Sequence, residues 1–290
     1  MSGARAARGF KNGDRIGAHH TVLGVVDKRA GRNPIYLVWD HAAWCPMACK
    51  VFKSPAKAEH EASLLSEVAH PNVLRCFGLG EPAVMFVEFL EGPTLARFMD
   101  DHETGRLGLA NALRIAIHVG AALEYIHSKG VIYLDISGSN IILTPSGRPV
   151  LIDFGGARRM DETRPPKVIG TDPYIAPEEC LQQPATKAAD VFGLGVLLFE
   201  MLAGELPFPR GTRQKPFPQT DGSPAELRSL RKTLPKGLEF LVMSCLSPDP
   251  LTRPGLAALL PSLHDFIRTG PKMWPAEFQP GREGVPISQA

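Results

Sequence analysis

The feature that most constrains this chain is a pair of short apolar runs, residues 141–144 and 149–152, separated by the turn sequence P-S-G-R. Short runs of branched aliphatic residues bounded by Pro, Ser and Gly are typical of β-strands joined by a tight turn. We therefore predict an antiparallel hairpin. In a hairpin the residue before the first strand lies beside the residue after the second. Asn140 and Asp153 should thus emerge together at the open end.

Three polar side chains converge at this end of the predicted hairpin. Asp135 lies in the loop just before Asn140, and Asp153 follows the second strand. Carboxylate and amide oxygens suit Mg²⁺, which keeps several waters and takes phosphate oxygens as its other ligands. The alternative is that Asp135 and Asn140 only form turns and that Asp153 caps a helix. Because all three side chains are expected at one end of the hairpin, we favour a metal site over separate turn and cap roles.

The pattern upstream of Leu90 is mostly that of β-strands. Residues 1–20 are rich in Gly, Ala and Arg and predict a flexible leader. Helical spacing over residues 57–68 predicts the main helix of this part. The predicted strands are residues 21–27, 34–40, 47–52, 73–78 and 84–89.

Downstream of Leu90 helical patterns dominate, and the chain ends in a Pro- and Gly-rich tail over residues 269–290. The predicted helices are residues 95–100, 110–128, 188–202, 226–230, 238–246 and 256–266. This predicts an α+β fold in two lobes over residues 21–268. A small β-rich lobe of about 21–90 with one main helix precedes a larger helical lobe of about 91–268, with a ligand-binding cleft between them.

Composition excludes several classes of function. The net charge of +2 comes from nearly balanced acids and bases, so we expect no nucleic-acid partner. The five cysteines lack paired C-x-x-C spacing, which suits a reducing cytoplasm better than a zinc or disulfide framework. No apolar run approaches the ~20 residues that a membrane span needs. We therefore expect a cytoplasmic protein without a membrane span; its oligomeric state is not predictable from these features.

The sequence Y-L-D-I-S-G-S-N, with D-F-G thirteen residues after its Asn, resembles the catalytic loop and metal-binding motif of protein kinases. The resemblance covers roughly residues 21–266 and implies a bilobal kinase-like fold that uses ATP and Mg²⁺. It implies that Asp135 orients or deprotonates the attacking hydroxyl, and that Asn140 and Asp153 hold the metal. A serine/threonine protein kinase would then act on a protein substrate.

The sequence M-A-C-K supports the resemblance. Ala48 and Lys50 face the same side of a strand, about 6.6 Å apart along it. The resemblance implies that Ala48 packs on the adenine, that Lys50 reaches the α- and β-phosphates, and that Glu61 pairs with Lys50. The alternatives are a surface lysine on an edge strand and solvated helix charges at Glu59 and Glu61. Further nucleotide contacts are implied for Ile35, Glu88, Leu90 and Ile142, with Val87 as the gatekeeper.

The most specific string is G-T-D-P-Y-I-A-P-E, residues 170–178, which resembles the kinase segment that seats the substrate. Thr171 is the serine/threonine-kinase version of its position, where the hydroxyl would contact Asp135. Glu178 would form a buried ion pair with Arg253. Asp190 lies in an otherwise apolar helix and needs hydrogen-bond donors, which the resemblance assigns to the catalytic-loop backbone.

Three departures from the family weaken the prediction of activity. Ser137 stands where serine/threonine kinases carry a lysine that neutralises the γ-phosphate, and the loss of such a cation can cost orders of magnitude in rate. Leu134 replaces the arginine that grips a phosphorylated loop. The expected glycine-rich loop contains only Gly31, which is out of place. The alternatives are a pseudokinase that binds a nucleotide or partner and, less favoured, a small-molecule kinase of related fold.

Overall fold

The structure is a computed structural model that describes residues 9–27, 33–81, 83–162, 168 and 170–269. The chain divides into two compact units, Met1–Glu91 and Gly92–Ala290. The first is built on a β-sheet with one main helix, and the second is mainly helical. Both features of the predicted α+β kinase-like fold are confirmed.

An antiparallel six-stranded sheet forms the first unit, in the order β1-β2-β3-β4-β6-β5. Its strands are β1 Arg15–Ile16, β2 His20–Asp27, β3 Ile35–Asp40, β4 Cys45–Val51, β5 Cys76–Gly80 and β6 Val84–Glu88. The predicted hairpin of β2 and β3 is confirmed, with Val22 opposite Val38. The sheet begins earlier than expected, because β1 pairs with β2 inside the range predicted as a leader. The predicted turn around Gly31 lies outside the described residues.

The core of this sheet consists of alternate side chains on neighbouring strands. Val22, Tyr36, Val38, Cys49 and Val84 are fully buried. The helix α1, Pro55–Ser66, contacts β5 and β6 and buries one face. It begins two residues before the predicted start, because proline fits the first turn of a helix, where its missing N–H has no intrahelical partner to lose.

Helices dominate the second unit, as predicted. They are α2 Leu95–Asp100, α3 Leu109–Ser128, α4 Pro177–Cys180, α5 Lys187–Ala203, α6 Leu227–Leu230, α7 Lys236–Cys245 and α8 Leu256–Thr269. The short helix α4 was not expected from the sequence. Two small antiparallel ladders complete the unit, β7 Val131–Ile132 with β10 Arg158–Arg159, and β8 Ile141–Leu143 with β9 Pro149–Leu151.

The long apolar helix α3 forms the centre of this unit, where it packs against α5 and α8. Its length and composition would also suit a membrane span, although none was expected from the sequence. Among the described residues no other helix meets this test, and 56% of the apolar window of α3 is buried in the protein. A core helix meets the same criteria, so α3 is weak evidence for a span.

Candidate active site

The hairpin of β8 and β9 brings Asn140 and Asp153 to one end, as predicted. Ile141 pairs with Leu151, and the amide of Ile152 donates a hydrogen bond to the carbonyl of Asn140 at 3.0 Å. Asp153 follows directly and is half-buried, with its Oδ1 accepting the Gly155 amide at 3.0 Å. The backbone ladder therefore holds the amide and carboxylate side chains at neighbouring positions.

Asp135 is held on two sides. The Thr171 hydroxyl donates a hydrogen bond to its carboxylate at 3.1 Å, which is the contact expected from the sequence. The Asn140 side-chain NH₂ donates to the backbone carbonyl of Asp135 at 2.9 Å. Asp135, Asn140 and Thr171 thus form one connected group in the second unit. This hydrogen bond uses the NH₂ group of Asn140. The side-chain amide oxygen, which is the atom that binds cations, takes no part in it.

The backbone before Asp135 is fixed by the buried carboxylate of Asp190 on α5. Asp190 accepts the amide N–H groups of Tyr133 at 2.9 Å and Leu134 at 2.8 Å, as expected from the sequence. Leu134 has φ of 65°, a conformation that costs a non-glycine residue roughly 1–2 kcal/mol. The two hydrogen bonds that Tyr133 and Leu134 donate to the buried carboxylate offset that cost and fix the backbone of the loop.

His127 is a third partner of Asp190 that the sequence analysis missed. Its Nε2 lies 2.7 Å from Asp190 Oδ2, and both side chains are buried. The only signal was a histidine in the apolar pattern of α3, and that pattern does not reveal which carboxylate it meets 63 residues later. The contact joins the end of α3 to Asp190 of α5, which in turn binds the backbone before Asp135.

Tyr133 packs against Phe154 directly before the loop that carries Asp135. The two rings meet edge to face with centroids 5.1 Å apart, and both side chains are fully buried. Burial raises the pKa of the Tyr133 phenol well above its usual value, and the nearby carboxylates of Asp135 and Asp153 raise it further. The phenol therefore stays neutral, and its ring contributes packing against Phe154.

The first unit contains the predicted lysine–glutamate pair. Lys50 Nζ lies 2.7 Å from Glu61 Oε1 and 2.9 Å from Oε2, and both residues are buried. The alternative of a solvated Lys50 is therefore wrong, whereas Glu59 is exposed, as a solvated helix charge would be. Ala48 is buried on the same strand, and Ile35 lies directly opposite Lys50 in the ladder.

The remaining residues expected to contact the nucleotide lie at or just beyond the end of β6 and in β8. Val87, the predicted gatekeeper, is buried opposite Ala48. The amide of Glu88 donates to the Arg75 carbonyl at 2.9 Å, so this donor is already used. Leu90, beyond β6, and Ile142, in β8, are half-buried. The nucleotide contacts expected of these four residues, like those expected of Ala48 and Ile35, remain predictions.

Ser137 is buried, with only 1% of its surface exposed. Its hydroxyl has no hydrogen-bond partner among the described residues, and its carbonyl accepts the Asn140 amide at 3.0 Å. The residue therefore supports the turn into Asn140 through its backbone. A serine side chain carries no charge, so this position supplies none to a phosphate.

The predicted ion pair of Glu178 and Arg253 is confirmed. Two guanidinium nitrogens of Arg253 each lie 2.7 Å from a Glu178 carboxylate oxygen, in a buried bidentate arrangement. Arg253 also donates to the backbone carbonyls of Ser247 and Ala188 at 2.8 and 2.9 Å. This network ties α4, which begins near the end of residues 170–178, to α5 and to the 3₁₀ turn Pro250–Thr252.

Glu179 is a second buried acid on α4 that was not expected from the sequence. Its Oε1 accepts the Ala176 amide at 3.4 Å, and its Oε2 is buried without a partner among the described residues. Burial raises the pKa of Glu179 to about 8, and the nearby carboxylate of Asp190 adds to the shift. The folded protein therefore holds this proton at pH values where an unfolded chain has lost it.

We expect Glu179→Gln to remove a pH dependence of stability. Since the pKa of Glu179 is raised on folding, its stabilising effect is complete below about pH 4.5 and is lost as the pH rises towards about 8. The free energy of unfolding of the Gln variant, relative to that of the wild type, should rise by a few kcal/mol from pH 5 to pH 8. Urea unfolding at four pH values measures this difference. The control Glu124→Gln, at an exposed position, should differ from the wild type by the same amount at every pH. The same behaviour in Glu179→Gln would contradict the prediction.

The donor set of the hairpin fits a magnesium ion that is shared with a phosphate ligand. Mg²⁺ takes one or two protein oxygens and fills its other positions with water and phosphate. Asn140 and Asp153 supply an amide oxygen and a carboxylate at neighbouring positions of one ladder. Within the described ranges, no cluster of three or more His, Cys, Asp and Glu side chains could hold a metal alone. The site therefore fits a metal that arrives with a phosphate group.

Comparison with known proteins gives a consistent result. Residues 34–266 match the sequence profile of the family described as protein kinase domain. The serine/threonine-protein kinase PkaA of Streptomyces coelicolor is 33% identical over 203 residues, which cover 67% of this chain and 36% of that protein.

Two further relatives are similar at comparable levels. The serine/threonine-protein kinase PknA of Mycobacterium tuberculosis is 32% identical over 202 residues, covering 63% of this chain and 43% of PknA. The probable serine/threonine-protein kinase PknB of Lactococcus lactis is 28% identical over 204 residues, covering 67% and 32%. The chain thus spans less than half the length of these three relatives.

Proposed function

Because this chain belongs to the protein kinase domain family, we propose that it transfers the γ-phosphate of Mg-ATP to serine or threonine hydroxyls of a protein substrate. One observation carries the proposal. The Asp135 carboxylate is oriented by the Thr171 hydroxyl at 3.1 Å, in a loop whose backbone is bound by the buried Asp190. A carboxylate held in this way can accept a proton from an incoming hydroxyl.

In this proposal Asp135 is the catalytic base. It orients the substrate hydroxyl and accepts its proton as the new oxygen–phosphorus bond forms, while the bond from the γ-phosphorus to the bridging oxygen breaks and ADP leaves with that oxygen. Thr171 fixes the carboxylate orientation through its hydrogen bond and, as part of the substrate-seating segment, places the acceptor residue beside it. Positioning of this kind accounts for much of the catalysis in phosphoryl transfer, since little covalent chemistry is required of the protein.

Further residues would bind the nucleotide and its metal. Lys50, oriented by Glu61, would hold the α- and β-phosphates. The adenine would pack against Ala48, Ile35 and Ile142, and its edge would meet the backbone between Glu88 and Leu90. Asn140 and Asp153 would hold Mg²⁺, and when bound this ion neutralises charge on the phosphate oxygens.

Labelled phosphate incorporation from Mg-ATP tests the proposal directly. We expect the purified chain to label a generic protein substrate, and we expect Asp135→Asn to lower the rate by about 100-fold or more, since general base catalysis contributes about 10²–10⁴-fold. The isosteric change keeps an oxygen that can accept the Thr171 hydrogen bond. Equal rates for the two proteins would contradict the role of Asp135.

A second candidate is a pseudokinase, a nucleotide- or partner-binding domain with little or no phosphate transfer. The observation that favours it is Ser137, a buried and uncharged side chain where the family carries a lysine. The same experiment separates the two functions. No incorporation by the wild-type chain, together with a melting temperature that rises on addition of Mg-ATP, would support the pseudokinase.

A further inference from the structure

We propose that the exposed guanidinium groups of Arg210 and Arg213 recognise acidic side chains of the protein substrate. The inference rests on the proposed function and specifies its substrate class. Both residues lie in a turn over residues 210–215, called the basic turn below, which also contains Lys215. The basic turn follows α5 in the second unit, and sequence analysis assigned no role to it.

A direct hydrogen bond attaches the basic turn to the segment beside the catalytic base. The Gly211 amide donates to Asp172 Oδ2 at 2.7 Å. Asp172 follows Thr171, whose hydroxyl donates to the Asp135 carboxylate at 3.1 Å. One hydrogen bond and one peptide unit therefore separate the basic turn from the residue that contacts Asp135.

The turn itself is compact. The Thr212 amide donates to the Lys215 carbonyl at 2.9 Å, and the Lys215 amide donates to the Thr212 hydroxyl at 3.1 Å. A Cβ atom at Gly211 would lie 2.0 Å from the Pro216 carbonyl oxygen and 3.2 Å from Asp172 Oδ2. Only glycine lets the backbone approach this closely. The arginines on either side of the anchor point, at 210 and 213, are thus carried on an ordered turn.

A second link connects Arg210 with the catalytic loop. The Tyr174 hydroxyl donates to the Glu200 carboxylate and lies beside the Gly138 backbone amide in the loop that carries Asp135. Burial raises the pKa of both Tyr174 and Glu200, and the Arg210 charge opposes both shifts. Arg210 therefore lies within electrostatic range of Tyr174 and Glu200.

The hydrogen bonds and ion pairs found in the described part of this region involve other groups, although the Arg210 charge also acts on Glu200. Lys215 is paired with Asp221 at 2.7 Å. The Glu200 carboxylate accepts from Tyr174, and the Asp172 carboxylate accepts from Gly211 with its other oxygen buried.

Arg210 and Arg213, by contrast, are exposed. In the part of the chain that the structure describes, neither side chain forms a hydrogen bond or ion pair. Guanidinium groups bind carboxylates and phosphates in a bidentate geometry. An acidic substrate segment is therefore the complementary partner, with Glu205 as an exposed carboxylate that would limit the attraction.

The test compares two serine-containing peptides that differ only in charge, one with Asp and Glu around the serine and one with Asn and Gln there. At low salt we expect kcat/KM of the full chain to be on the order of tenfold higher for the acidic peptide, mainly through a lower KM. Each exposed ion pair contributes only about two- to fivefold. The preference should shrink as salt is raised to about 0.5 M, because exposed charges are screened.

Charge reversal identifies the residues. Arg210→Glu/Arg213→Glu should lower the ratio of kcat/KM for the acidic and neutral peptides to about one or less. The control Lys232→Glu/Lys236→Glu changes the net charge equally at exposed positions elsewhere in the second unit and should keep the wild-type ratio. A wild type without the acidic preference, or a double arginine variant that retains it, would overturn the assignment.

Failure of the proposed function has a different signature. If the wild type phosphorylates neither peptide, fluorescence anisotropy of the same two labelled peptides measures recognition without phosphate transfer. Tighter binding of the acidic peptide that is lost on reversal of Arg210 and Arg213 would still support the inference. Equal binding of the two peptides would overturn it.

Discussion

Replacing Asp153 with asparagine is expected to lower kcat for phosphate transfer by about 100-fold or more, with the melting temperature nearly unchanged. The proposed metal site loses its carboxylate charge, and removal of one electrostatic contact to a developing transition state costs about 10²–10³-fold. The fold tolerates the change, because asparagine retains an oxygen that can accept the Gly155 amide, which lies 3.0 Å from Asp153 Oδ1. Steady-state kinetics at saturating ATP and thermal unfolding measure the two quantities.

A matched control lies eight residues further along the same segment. Asp161→Asn makes the same chemical change at an exposed carboxylate and should leave both quantities close to those of the wild type. If Asp153→Asn retains the wild-type kcat, Asp153 does not hold the metal. If it loses activity together with its cooperative unfolding transition, Asp153 is a structural residue.

Replacing Arg253 with methionine is expected to lower the free energy of unfolding by about 3–5 kcal/mol, which is the range for breaking a buried ion pair from one side. The Glu178 carboxylate would remain buried without the two 2.7 Å hydrogen bonds that it accepts from Arg253. The backbone carbonyls of Ser247 and Ala188 would each lose a donor as well. Methionine keeps much of the apolar volume above the Phe192 ring, which lies 5.0 Å from the guanidinium carbon. Urea unfolding measures the change.

The double variant Arg253→Met/Glu178→Leu separates the destabilisation caused by an unpaired buried charge from that caused by lost packing. Replacing both members of a buried pair with apolar residues is often close to neutral. We therefore expect the double variant to recover at least about 1 kcal/mol relative to the sum of the two single variants. Strict additivity would show that Glu178 and Arg253 are not coupled, and the bidentate geometry would then contribute little to stability.

Much of the candidate site was predictable because its residues lie at fixed offsets from local patterns. The pairing of β8 with β9 follows from two short apolar runs around a turn, and it places Asn140 beside Asp153. The partners of Lys50, Asp190 and Glu178 followed from a family resemblance over several motifs in order. In each case the structure contains the expected contact.

The sequence failed where a contact depends on segments that no local pattern connects. His127 meets Asp190 because α3 and α5 pack together, and an apolar helix pattern does not define which neighbour it meets. The short strand β1 was interpreted as part of a leader, because two residues are too few to show a period. The raised pKa of Glu179 arises from burial beside Asp190, which only the packed structure creates.

The amino-acid sequence by itself determined the order of the elements, the α+β class and the identity of the charged residues, since these depend on hydrophobic periodicity and on residue types at short spacings. Tertiary structure decided which of those charges are paired, buried or exposed. The basic turn illustrates the difference: Arg210 and Arg213 are ordinary charges in the sequence, and the Gly211 amide bound to Asp172 brings them beside the proposed substrate segment. This hydrogen bond joins residues that are 39 positions apart in the sequence. Their distance in space is set by the packing of the chain rather than by local propensity.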